Sequence, residues 1–190
     1  MKVMVVTGAS SGVGRATALR FAEAGYEVCA IARSKQRLEE LTTTGSGHIH
    51  PYPGDVTDSA QVEDIFRRIG TDWARVDVLV NNAGVTPAGQ ATSSQLIDQV
   101  VDTNLKGPMY CTFAALPWMR EAGSGNIVNI ASIAGADILP RGSDGLYGAS
   151  KHGLVAFSEL IGKKYRGEDI LVTALCPGGI DTELWNEQNP

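Results

Sequence analysis

Val3-Met4-Val5-Val6-Thr7-Gly8-Ala9-Ser10-Ser11-Gly12-Val13-Gly14 runs from an apolar segment through a glycine-rich turn. Its first residues form a short aliphatic run of the length and β-branched content of a buried strand. The run ends at Gly8, and after the turn Ala16, Leu19, Phe21 and Ala22 recur at helical spacing over 12–24, closed by Gly25. A strand that passes through a glycine-rich turn into a helix opens a βαβ unit. Glycine lets the backbone turn tightly and approach a pyrophosphate, while the helix N-terminus offers free N–H groups and partial positive charge. Three residues separate Gly8 from Gly12, so the spacing departs from G-x-G-x-x-G. A tight strand-to-helix turn without ligand is the plain alternative at this point.

Outward from that turn the chain keeps alternating. The pattern predicts strands over 27–32, 48–52, 76–80, 125–131 and 170–175, with helices over 35–42, 60–69, 94–103, 105–121 and 148–164. Asp58 is placed to cap the helix at 60–69, and Pro117 should kink the one at 105–121. Alternating strands and helices imply right-handed crossovers and a parallel sheet covered on both faces. No linker or shift of composition divides residues 1–190. The expected architecture is therefore one α/β domain: a doubly wound, Rossmann-type sheet of six strands.

Composition narrows the function. The 190 residues carry 16 Lys and Arg against 21 Asp and Glu, a net charge of −5, which argues against nucleic acid or an anionic membrane as partner. The N-terminal apolar run is too short for a secretory signal, and the charge-free stretch at 78–97 is too polar to span a bilayer. Cys29, Cys111 and Cys176 are odd in number and far apart, so no disulfide framework is expected, and the expected location is the cytoplasm. His48 and His50 share one face of a strand without a third ligand, so no metal is expected.

The end of the second strand usually carries the residue that reads the adenosine ribose. An acid there suits the 2′-hydroxyl of NAD, whereas Arg suits the 2′-phosphate of NADP. Here the strand ends Ile31-Ala32-Arg33-Ser34, which favours NADP over NAD through Arg33 and Ser34.

Three further stretches complete a pattern. Asn81-Asn82-Ala83-Gly84 follows the fourth strand, Tyr147-Gly148-Ala149-Ser150-Lys151 opens the long helix, and Pro177-Gly178-Gly179-Ile180-Asp181-Thr182 follows the sixth strand. With Thr7–Gly14 and Ser132 in register, the chain resembles the compact branch of the short-chain dehydrogenase/reductase family, from Val3 to about Leu184. Tyr147 and Lys151, four residues apart, share one helix face. An ammonium beside a phenol favours the phenolate. Bringing a phenol from near 10 to near 7 takes roughly 4 kcal/mol of differential interaction. Ser132, at the carboxyl edge of the sheet, is placed to hydrogen-bond a substrate oxygen.

The resemblance implies the remaining roles. Tyr147 exchanges the hydroxyl proton, Lys151 also bonds the nicotinamide ribose, and Asn104 offers a backbone carbonyl to a water in a proton relay. Read without the family, Asn104 is a helix kink or cap. Cofactor contacts are expected from Gly8, Ser10, Ser11, Gly12, Val13 and Gly14 in the turn, from Asp55 and Val56 beside the adenine, and from Asn82, Ala83 and Gly84 after the fourth strand. Pro177, Gly178, Ile180 and Thr182 would wrap the nicotinamide.

These residues predict an NADP(H)-dependent oxidoreductase that moves a hydride between nicotinamide and a carbonyl or secondary alcohol. The alternative is a non-catalytic NADP(H)-binding sensor or interaction subunit. It is motivated by the few residues after the Pro-Gly turn, where the family builds a substrate lid and a last strand. An epimerase is disfavoured by turn spacing, and a methyltransferase would not need the Tyr–Lys pair. A homodimer through the helices at 105–121 and 148–164 is implied by the resemblance, with Ala114, Ala115, Leu154, Ala156 and Phe157 compatible with it and Tyr110 and Trp118 read as helix packing. The substrate, a small carbonyl or alcohol, would be shaped by loops at 85–93 and 133–146 and by the tail after Gly178.

Overall fold

The computed structural model describes residues 1–45, 47–87, 93–136, 145–182 and 184. In chain order the elements are β1 (Lys2–Thr7), α1 (Gly12–Glu23), β2 (Tyr26–Ala32), α2 (Lys35–Thr44), β3 (Ile49–Pro53), α3 (Ser59–Trp73), β4 (Val78–Asn81) and α4 (Ser94–Val101). A π-helical turn (Asp102–Lys106) leads into α5 (Gly107–Glu121), followed by β5 (Gly125–Ile130), α6 (Ile133–Ala136), α7 (Gly145–Tyr165), a short 3-10 turn (Arg166–Glu168) and β6 (Ile170–Leu175). The six strands form one parallel sheet in the order β3-β2-β1-β4-β5-β6. The order reverses between β1 and β4, and the fold is the expected doubly wound domain.

Strand periodicity explains the two cores. Along β1, Val3 and Val5 point to one face and pack with Ile65, Phe66 and Ile69 of α3 and with Cys111, Leu116 and Met119 of α5. Met4 and Val6 point to the other face and meet Ala18 and Ala22 of α1 with Leu38 and Leu41 of α2. Strands buried on both faces read as continuous apolar runs, which is why Val3–Val6 shows no alternation in sequence.

The structure corrects several boundaries. The helix expected at 60–69 runs on to Trp73, capped by Asp58 as expected and ended by Ala74 in the left-handed region at φ 54°. Gly70 reads as a stop but lies inside α3 because Trp118 of α5 occupies its side-chain space: a Cβ there would lie 1.9 Å from the indole. The strand expected from 76 starts at Val78. Asp77 instead turns its carboxylate to accept the Val3 N–H and to pair with Arg75. The two helices expected at 94–103 and 105–121 are joined by the π-helical turn, in which the Gly107 N–H donates to the Asp102 carbonyl. The α6 helix was not expected, since four residues are too few to show periodicity. The α7 helix starts at Gly145 rather than 148.

Gly70→Ala should therefore destabilise the protein by about 2 kcal/mol, because the clash with Trp118 outweighs the better helix propensity of Ala. Denaturant unfolding tests this. In a Trp118→Ala background the same substitution should be neutral or stabilising, and a neutral effect in the native background would contradict this packing of α3 on α5.

Candidate active site

The carboxyl ends of the strands open onto a cleft of about 300 Å³. Gly8 lies after β1, Arg33 after β2, Asp55 after β3, Asn82 after β4, Ser132 after β5 and Pro177 after β6, and all of them line it. This is where an open α/β sheet binds ligands.

The glycine-rich turn is built for close approach. Gly8 and Gly12 have φ of +66° and +49°, a region side chains rarely adopt. At Gly14 a Cβ would lie 2.3 Å from the Gly8 carbonyl oxygen, so α1 can pack onto the turn only with glycine there. Asn82 ties this turn to β4: its Nδ2 donates to the Thr7 and Gly8 carbonyls, at 3.0 and 3.3 Å. Its backbone N–H and that of Ala83 donate to the Thr7 hydroxyl. Helices α2, α3 and α4 are capped by the side chains of Ser34, Asp58 and Ser93, whereas Ser11 makes no side-chain cap on α1. The first-turn amides of α1 thus keep their donors for a ligand. A pyrophosphate fits this cradle.

At the far end of the cleft lie Arg33, Ser34 and Arg37. Ser34 caps α2 by accepting from the Arg37 N–H at 3.3 Å. Asp55, which lines the cleft, accepts from the Thr57 N–H and hydroxyl on one carboxylate oxygen, both at 2.9 Å, and so fixes the turn after β3. Val56, Ala83 and Gly84 line the same space.

Near the middle of the sheet the polar residues Ser132, Tyr147, Lys151 and Asn104 come together. Tyr147 is 7% exposed, Lys151 4% and Asn104 0%. Burial pushes the Tyr147 phenol above its ordinary value, opposed by a hydrogen bond with Ser132. The Ser132 hydroxyl also accepts the Ala134 N–H at 3.2 Å, so it caps α6 as well. Burial pushes the Lys151 ammonium down to about 8, with Cys176 opposing. The ammonium lies 5.7 Å from the Tyr147 ring centroid and donates to the Ile130 carbonyl at 2.8 Å. The expected fall of the Tyr147 pKa beside Lys151 is therefore absent from the protein alone. Desolvation governs the phenol, and the ammonium is turned to the end of β5.

Asn104 sits inside the π-helical turn, and its side chain is committed. Oδ1 accepts the Val85 N–H at 2.8 Å, while Nδ2 donates to the Val85 carbonyl at 2.9 Å and to Ser150 Oγ at 3.1 Å. Ser150 Oγ in turn donates to the Tyr147 carbonyl at 2.7 Å. Asn104 thereby clamps the stretch after Gly84 to the first turn of α7. A Cβ on Gly84 would come 3.4 Å from Asn104 Oδ1 and 3.6 Å from Lys151 Nζ, which puts the three side by side.

Several of these residues escaped the sequence reading. Arg37 and Thr103 line the cleft, and Ser150 links Asn104 to Tyr147. The i,i+3 spacing of Ser150 from Tyr147 was the available signal for the last. Asn81 is wholly structural: Nδ2 donates to the Pro108 carbonyl, Thr112 Oγ1 and Asn129 Oδ1, and Asn129 continues to Ser158. Pro177, Gly178, Ile180 and Thr182 line the cleft, whereas residues 88–92 of the expected pocket loop at 85–93, residues 137–144 of that at 133–146, and residues 183 and 185–190 of the tail lie outside the described residues. His48 Nδ1 and His50 Nε2 share the Glu27 carboxylate at 2.9 and 2.7 Å, and among the described residues no group of three or more His, Cys, Asp or Glu could hold a metal. Ala115 and Leu154, read as surface for a neighbour, are buried in the chain's own fold, and Trp118 packs on Gly70. Among the described residues no helix is long and apolar enough to cross a membrane.

The sequence pattern of the short chain dehydrogenase family matches residues 2–190. The chain is 36% identical over 188 residues to the 3-oxoacyl-[acyl-carrier-protein] reductase FabG of Thermotoga maritima, which covers 96% of this chain and 76% of that protein. The structure superposes on ElxO with NADP bound at a TM-score of 0.89 and 32% identity, covering 98% of this chain and 77% of that one. It also superposes on a variant of the actinorhodin polyketide ketoreductase with NADPH, at a TM-score of 0.88 and 33% identity, covering 97% and 72%.

Proposed function

Because this chain belongs to the short-chain dehydrogenase family, we propose that it is an NADP(H)-dependent reductase of a small carbonyl compound, working in reverse on the secondary alcohol. NAD(P)-dependent oxidoreduction between C=O and CH–OH is the chemistry of its relatives. The observation that carries the finer reading is the hydrogen bond between Ser132 and Tyr147 in the same cleft as the bare N-terminus of α1 and the Arg33 guanidinium.

When bound, NADPH supplies the hydride. Tyr147, kept as a neutral phenol by burial, gives its proton to the substrate oxygen as the carbonyl carbon is reduced. Ser132 donates to that oxygen and stabilises its developing charge. Lys151, whose ammonium donates to the Ile130 carbonyl and lies 5.7 Å from the Tyr147 ring centroid, would bond the nicotinamide ribose. Asn104, whose side chain is held by Val85 and Ser150, would offer its backbone carbonyl to a water that restores the Tyr147 proton through Lys151, the role that the family resemblance implies. Gly8, Ser10, Ser11, Gly12 and Val13 line the place that would hold the pyrophosphate, with Gly14 packed behind them on the Gly8 carbonyl, while Asp55 and Val56 would flank the adenine and Asn82, Ala83 and Gly84 would shape the adenosine side. Pro177, Gly178, Ile180 and Thr182 hold the nicotinamide side.

A homodimer is supported by the exposed apolar side chains on α5 and α7, with Phe113 50% and Leu160 66% exposed. The free thiols of Cys29, Cys111 and Cys176 suit a reducing compartment, and we place the protein in the cytoplasm.

The test is NADPH oxidation against 3-oxoacyl thioesters, simple ketones and quinones. Turnover on one class supports the reading. Tight NADPH binding with no turnover on any would overturn it in favour of a sensor. Arg33→Asp should reduce the preference for NADPH over NADH by at least about tenfold, and native protein that binds both equally well would contradict the role of Arg33.

A further inference from the structure

Gly135 sits where no side chain fits. It is buried inside α6, whose ordinary helical backbone asks for no glycine. A Cβ there would lie 2.6 Å from the carbonyl carbon of Lys151, 2.7 Å from its carbonyl oxygen and 2.9 Å from its Cβ. The backbone of α6 therefore rests directly on the turn of α7 that carries Lys151. The same short helix is tied to two other parts of the site. Ser132 opens it: the hydroxyl accepts the Ala134 N–H at 3.2 Å, and the carbonyl accepts the Gly135 N–H at 2.8 Å. The Ile133 N–H donates to the Pro177 carbonyl at 2.9 Å. One helical turn thus joins Ser132, the Lys151 turn and the start of the loop after β6.

We propose that Gly135 is a positioning residue: its missing side chain sets the approach of α6 to α7, and through it the hydrogen bond between Ser132 and Tyr147. The inference rests on the reductase reading of this cleft. A methyl group at position 135 meets backbone, so one of the two helices must move. The α7 helix has 21 residues, and its start is held by Asn104 through Ser150 Oγ and by the Lys151 ammonium on the Ile130 carbonyl. The α6 helix has four residues. It is α6 that yields, carrying Ser132 away from Tyr147 while Tyr147 and Lys151 keep their places.

A double-mutant cycle of Gly135→Ala with Ser132→Ala tests this, read as NADPH-dependent turnover of the carbonyl compound that the panel identifies. Gly135→Ala should lower kcat by about thirtyfold and leave the Kd of NADPH within about threefold. In the Ser132→Ala background the same substitution should change kcat by less than about twofold, because the contact it disturbs is already gone. A substitution that merely weakened the fold would slow both backgrounds alike. The pH dependence of alcohol oxidation gives a second readout. The Ser132 hydrogen bond opposes the burial that raises the Tyr147 phenol, so Gly135→Ala and Ser132→Ala should both move the rise of oxidation to higher pH. Ala134→Gly loosens α6 without a clash and carries the test alone if Gly135→Ala does not fold. It should lower kcat by about threefold in the native background and leave Ser132→Ala unchanged. Equal losses in the two backgrounds, or native kcat in a folded Gly135→Ala, would overturn the inference and leave the reductase reading standing. A native protein that binds NADPH but reduces no carbonyl compound would overturn both.

Discussion

Replacing Tyr147 with Phe should cut carbonyl reduction by about a thousandfold, the scale of a lost general acid. NADPH affinity should stay within about twofold. The substitution removes one oxygen and keeps the ring, which is buried in the cleft under the Lys151 ammonium. What is lost is the proton donor and the hydrogen bond with Ser132. Because the phenol is raised by burial, it is fully protonated across neutral pH, which is the state that reduction needs. Steady-state rates beside fluorescence titration of NADPH separate the two effects. A variant that keeps more than about a tenth of native turnover would mean that another group protonates the substrate oxygen.

Alkaline pH should switch off cofactor capture through Lys151. In the free protein its ammonium is lost as pH rises through about 8, well below the ordinary lysine value of 10.5. The charged form is therefore present below that pH and absent above it. The kcat/KM for NADPH, which reports the free enzyme, should be level below pH 7 and then fall about tenfold per unit above pH 8. NADPH held in this cleft would bring negative charge toward the ammonium and favour its charged form, so kcat should hold to higher pH. Lys151→Met should be at least about a hundredfold slower at pH 7 and show no such fall. A native profile that stays level to pH 10 would contradict a buried lysine at this site. In the oxidation direction Tyr147 must lose its proton and burial opposes that, so high pH favours oxidation there.

Much of this was legible in the sequence for definite reasons. A parallel strand buried on both faces such as Val3–Thr7 announces itself as an apolar run, and Asp58 announces the helix it caps. The glycines of the first turn are readable because their conformation and contacts leave no room for another residue, as the Gly8 carbonyl shows at Gly14. Tyr147 and Lys151 are readable because helical spacing alone puts them on one face. What was not legible depends on contacts far apart in the chain. Gly70 reads as a helix stop until Trp118, 48 positions later in the sequence, is seen against it. The π-helical turn around Asn104 follows from a side chain held by Val85 and Ser150, neither of which is a sequence neighbour. The direction of the Tyr147 shift is set by burial, which spacing does not report, and the place of Arg37 on the cleft lining needs the fold.

The most direct measurement uses NADPH carrying deuterium at the transferable position of nicotinamide C4, incubated with the first carbonyl compound that the panel finds to turn over. The product alcohol should carry one deuterium at its carbinol carbon, and Tyr147→Phe should slow its formation by about a thousandfold while still binding the cofactor. Tight NADPH binding without deuterium entering any carbonyl compound of the panel would contradict the account.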